Sequence, residues 1–211
     1  KDYLMGKTMG LNAAGEMSGF GFNVMYMDQE TMGTGMDDGF TYSVMGVDLA
    51  YQMAGADLTF SYSSMDSETM ADDATMMQLA VNYPVGDNMS INGSMTTMGD
   101  GGYGVYGSNI GVNDGLNNSW NTHGNMGFLD AGDEAMAFGG TYSMGKMSFG
   151  ATMTTVTNDG FADWERNVTE FNIGYDLGSN SSFALKMATD DNRFGSTGEE
   201  TYMWATLTVG L

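Results

Sequence analysis

Residues 47–62 read Val47-Asp48-Leu49-Ala50-Tyr51-Gln52-Met53-Ala54-Gly55-Ala56-Asp57-Leu58-Thr59-Phe60-Ser61-Tyr62. Before the Ala54-Gly55-Ala56 break, Val47, Leu49, Tyr51 and Met53 alternate with Asp48, Ala50 and Gln52. After it, Leu58, Phe60 and Tyr62 alternate with Asp57, Thr59 and Ser61. Successive side chains of a strand point to opposite faces, so a period of two predicts a hairpin with one dry and one wet face.

The same alternation recurs along the chain, and helical spacing of apolar residues is nearly absent. Met77, Leu79, Val81 and Tyr83 oppose Met76, Gln78, Ala80 and Asn82. Met136, Phe138, Gly140, Tyr142 and Met144 oppose Ala137, Gly139, Thr141 and Ser143, and Phe171, Ile173, Tyr175 and Leu177 oppose Glu170, Asn172, Gly174 and Asp176. With a weaker run at Met5 to Ala13, the pattern predicts about eleven strands, each near the length of a tilted membrane strand.

The connections fall into two alternating classes. Ala54-Gly55-Ala56, Pro84 to Asn88, Met144-Gly145-Lys146 and Leu177 to Asn180 carry the residues of tight hairpins. Gln29 to Gly39, Met65 to Asp73, Gly99 to Asp133, Asn158 to Arg166 and Asp190 to Glu200 are long and polar. The apolar face is rich in Met and aromatic residues, and the opposite face is small and hydrophilic. That inversion suits lipid outside and water inside. Only closure satisfies the edges of a sheet in lipid, so the expected fold is all-β, an antiparallel transmembrane β-barrel.

Composition narrows the function. The 211 residues carry 6 Lys plus Arg against 27 Asp plus Glu, a net charge of -21. This sign opposes phosphate neutralisation and excludes nucleic acid as the main partner. No Cys is present, which excludes a disulfide framework and a thiolate metal site. The length fits a single domain spanning 1–211, with one long loop at 99–133.

Phe171-Asn172-Ile173-Gly174-Tyr175-Asp176-Leu177-Gly178, followed by Ser182-Phe183-Ala184-Leu185-Lys186-Met187, a loop and a closing strand, resembles the C-terminal hairpins of Gram-negative general diffusion porins. Residues 47–62 are similar to their interior hairpins. The resemblance implies a trimeric barrel of about sixteen strands in the outer membrane, with a water-filled lumen for small hydrophilic solutes. It also implies a constriction formed by the third long loop. The family's C-terminal aromatic is here Leu211. An odd strand count places the first strand's start at the long-loop rim. That is expected if the weak first run is not a strand, if another polypeptide completes the barrel, or, the preferred reading, if the chain is the C-terminal portion of a larger porin cut in its third loop.

Alternation points Asp48, Gln52, Gln78, Asn82, Asn92, Glu170, Asn172 and Lys186 into the lumen. Only Lys186 is basic among them, so the channel is expected to prefer cations. The loop acids Asp37, Asp38, Asp66, Glu68, Asp72, Asp73, Asp190, Asp191, Glu199 and Glu200 are solvated charge or, alternatively, oxygen ligands for calcium or bridges to lipopolysaccharide. Arg166 and Arg193 are expected in loops, paired with acidic neighbours. His123 is the one imidazole, and no nucleophile constellation accompanies it. Neither catalysis nor an organic cofactor is expected. The 23 Met residues lie mostly on the apolar face, as packing against lipid or a neighbouring subunit; Met25 and Met27 point inward. The competing reading is an acidic secreted β-protein, an extracellular adhesin, surface-layer or filament subunit. The 99–133 segment would either enter the lumen or cover a subunit contact.

Overall fold

The computed structural model describes residues 4–32, 41–67, 73–101, 129, 131–158, 160, 165–178, 180–191 and 199–210. Eleven strands form one sheet: β1 (Leu4–Met17), β2 (Phe20–Met32), β3 (Thr41–Met53), β4 (Ala56–Ser67), β5 (Ala74–Val85), β6 (Met89–Met98), β7 (Asp133–Met144), β8 (Met147–Asn158), β9 (Glu165–Gly178), β10 (Ser181–Asp190) and β11 (Glu200–Thr208). Their order in the sheet is their order in the chain. Each pairs antiparallel with the next, so β1 and β11 run in the same direction.

Short turns and long connections alternate, which places all the short turns at one rim. Two of the turns, Ser18-Gly19 and Ala54-Gly55, hold positive φ at both central residues (54° and 81°; 52° and 84°). That left-handed pair matches the twist of the flanking strands, and a Gly in the second position relieves half its steric cost. Pro84 lies near the end of β5, two residues beyond the last pairing to β4 at Asn82. Its missing N–H therefore breaks no ladder bond on that side.

The strands reach further toward the long connections than their apolar alternation does. β9 begins at Glu165, so Arg166 is a strand residue and not a loop residue, while β1 is longer toward its short turn, running on to Met17. Asp190, expected in an acidic loop, is the last residue of β10.

The two faces differ in character. On the outer face Met77, Leu79, Met136, Phe138, Met153 and Phe171 stand exposed with no protein over them. On the inner face, near the long connections, the expected small and hydrophilic surface gives way to a buried apolar cluster: Val44, Met65, Ala74, Met76, Met98, Ala135 and Val156, with Met25, Met27 and Tyr42 packed against it. Leu129 is part of that cluster. It belongs to the 99–133 connection, so at this end the wall meets protein instead of water, and apolar side chains are favoured there.

Candidate functional site

The inner face toward the short turns is the polar part of the wall. Sheet register sorts the expected lumen residues into rows. Asp48 lies across β4 from Gln78, with Ser61 between them, and Gln78 is in turn opposite Thr96. A second row, nearer the short turns, runs Gln52, Asp57, Asn82, Asn92 and, past Gly139 and Thr152, Glu170. Asn172 and Lys186 face one another in the next row. All eight candidates thus sit on the inner side, in three rows, the first parted from the other two by the row of Ala50, Thr59 and Ala80.

Hydrogen bonds tie these residues across strands. Asn12 Nδ2 donates to Asn23 Oδ1 at 2.7 Å, and Asn23 Nδ2 donates to Asp48 Oδ2 at 3.0 Å. Gln52 Nε2 donates to Asp57 Oδ1 at 2.7 Å, and the buried Gln78 Nε2 donates to Thr96 Oγ1 at 3.0 Å. Such lateral bonds hold these side chains against the sheet.

Two cations of the inner wall are matched to acids on neighbouring strands. Arg166 donates to both oxygens of Asp190, Nε to Oδ1 at 2.9 Å and Nη2 to Oδ2 at 2.8 Å, with the Asp190 side chain wholly buried. Lys186 Nζ lies 2.7 Å from Glu170 Oε1. That oxygen lacks a well-aligned hydrogen bond, so the contact is ionic in character. On β11, Tyr202 and Trp204 stack with centroids 5.9 Å apart and pack against the buried Val168 and Ala188.

Asp57 and Asn23 were not among the sequence candidates, although the alternation puts both on the polar face. Of the loop acids, Asp37, Asp38, Glu68 and Asp72 lie outside the described residues, as do Arg193 and His123. Asp66 and Asp73 are exposed, and Asp191 Oδ1 accepts the Asn167 backbone N–H at 2.6 Å. No group of three or more His, Asp or Glu capable of holding a metal occurs among the described residues.

The 99–133 connection is tied at its base. Gly132 N–H donates to the Gly99 carbonyl at 3.0 Å, and Gly99 N–H to the Thr75 carbonyl at 2.9 Å. Asn158 Nδ2 reaches both Ala131 O, at 2.8 Å, and Asp133 Oδ1, at 2.7 Å. Leu129 turns from this base onto the inner side of the sheet.

No family model matches the sequence, and no curated protein does. Among solved structures, the chain is similar to a porin refined at 1.8 Å resolution, with a TM-score of 0.59 and 15% identity over 92% of this chain. Acinetobacter baumannii OccAB2 gives 0.58 and 16% over 94%. The fold is porin-like. The chain spans 60% of the first of these proteins and 55% of the second. A KdgM porin is matched over 96% of its length, with a TM-score of 0.48 and 7% identity.

Proposed function

We propose that this chain forms wall of an outer-membrane channel through which small hydrophilic solutes diffuse passively, cations in preference to anions, with no catalytic step. The observation that carries the reading is the inversion of the sheet. Large apolar side chains stand exposed on one face, and rows of hydrogen-bonded amides and carboxylates occupy the other. A water-soluble β-protein would bury the first face as its core. In lipid that face is at its energetic minimum, and the polar rows keep their hydration in the lumen. The partners on this reading are outer-membrane lipid and lipopolysaccharide on the outside, ions and small solutes within, and further copies of the chain in a trimer.

Detergent-extracted native protein tests this in two ways. In a planar bilayer under a salt gradient, stepwise conductance with a reversal potential on the cation side is expected. On a denaturing gel, a slow band that collapses on boiling is expected of a resistant oligomeric barrel. Protein released without detergent, unchanged by heating and giving no conductance, overturns the reading in favour of a secreted adhesin or filament subunit.

A further inference from the structure

The inner wall carries its charges unevenly. Glu170 faces Lys186 and Asp190 faces Arg166, so each of these acids is compensated by a cation on the adjacent strand. Asp48 and Asp57 are held differently. Their partners are the amides of Asn23 and Gln52, and among the described residues neither forms an ion pair. An amide donor orients a carboxylate without cancelling its charge. Asp57 lies beside a short turn and Asp48 at mid-strand, both partly exposed, whereas Asp190 is sealed from water. Asp57 and Gln52 line an inner-face cavity of about 770 Å³ together with Glu16 and Thr59.

We propose that Asp48 and Asp57, wall carboxylates held by amides, carry more of the channel's cation preference than the paired Glu170 and Asp190 do. The proposal rests on the channel reading and sharpens it. A fixed, uncompensated charge facing water acts on every passing ion, while a neutralised pair presents only a dipole whose field falls off steeply. Asn23 and Gln52 are positioning residues, keeping each carboxylate against the wall and clear of the path.

The test compares charge-removing variants of equal net effect in planar bilayers at about 1 M salt, where the Debye length is only about 3 Å and rim charges are screened. Asp57→Asn and Asp48→Asn are each expected to lower the cation-over-anion permeability ratio about twofold or more, and the double variant further. Asp87→Asn, which removes one negative charge from the exposed β5–β6 turn, is expected to leave the ratio unchanged. Far-UV circular dichroism and the heat-labile gel band establish that each variant is folded. Two results overturn the proposal: a ratio unmoved by the Asp48 and Asp57 variants, or one moved equally by Asp87→Asn. Failure of the unsubstituted protein to conduct at all falls on the channel reading instead.

Discussion

Asp190 is a carboxylate with no access to water, a state that is unfavourable unless charge and hydrogen bonds are both supplied. Arg166 supplies both, because its planar fork meets the two carboxylate oxygens together. Arg166→Met is therefore expected to cost about 3–5 kcal/mol, since it strands a buried charge. Arg166→Met combined with Asp190→Leu is expected to recover most of that loss, because a well-packed apolar pair removes the desolvation penalty with the charges. Urea midpoints of the vesicle-inserted protein measure both. Equal midpoints for the single and double variants would show that packing of the Arg166 stem, and not its charge, is what holds this corner. This pair was only half legible in the sequence. That Arg166 would find an acid followed from the charge balance; which acid depended on register between β9 and β10, and register is a property of the sheet.

At the scale of the strand, legibility followed the outer apolar band. Where β7 reads Met136 to Met144, one face carries large apolar side chains and the other small polar ones, and the alternation declares the strand and its faces. Beyond that band both faces meet water or protein, the alternation lapses, and Glu165-Arg166-Asn167 at the head of β9 reads as loop. The inner cluster around Val44, Met76 and Val156 escaped for the same reason, since its apolar character answers to Leu129, a residue distant in sequence. The face assignment makes a sharp prediction on one strand. Phe138→Arg, on the outer face near mid-band, is expected to destabilise the inserted protein by about 2–4 kcal/mol. Thr141→Arg, three residues on and facing the lumen, keeps its charge hydrated and is expected to cost far less. Comparable losses in urea titrations of the two variants would mean that the inner face of β7 is not wet.

For the molecule as a whole, the channel reading asks how a charge of -21 would be felt by an ion in transit. Distributed charge acts over the Debye length, which shrinks from about 10 Å at 0.1 M salt to about 3 Å at 1 M. The rim acids Asp66, Asp73 and Asp87 are exposed and are screened first. Asp48 and Asp57 lie on the wall itself, where an ion passing within a few ångströms feels them even at high salt. The cation preference is thus expected to fall as salt rises and then level off above unity, with the residual part lost in the Asp48→Asn/Asp57→Asn variant. Reversal potentials measured at a fixed gradient ratio across that salt range read both components. A preference that vanishes entirely at 1 M would assign selectivity to the acidic rims, and one that does not change with salt would assign it wholly to contact inside the wall.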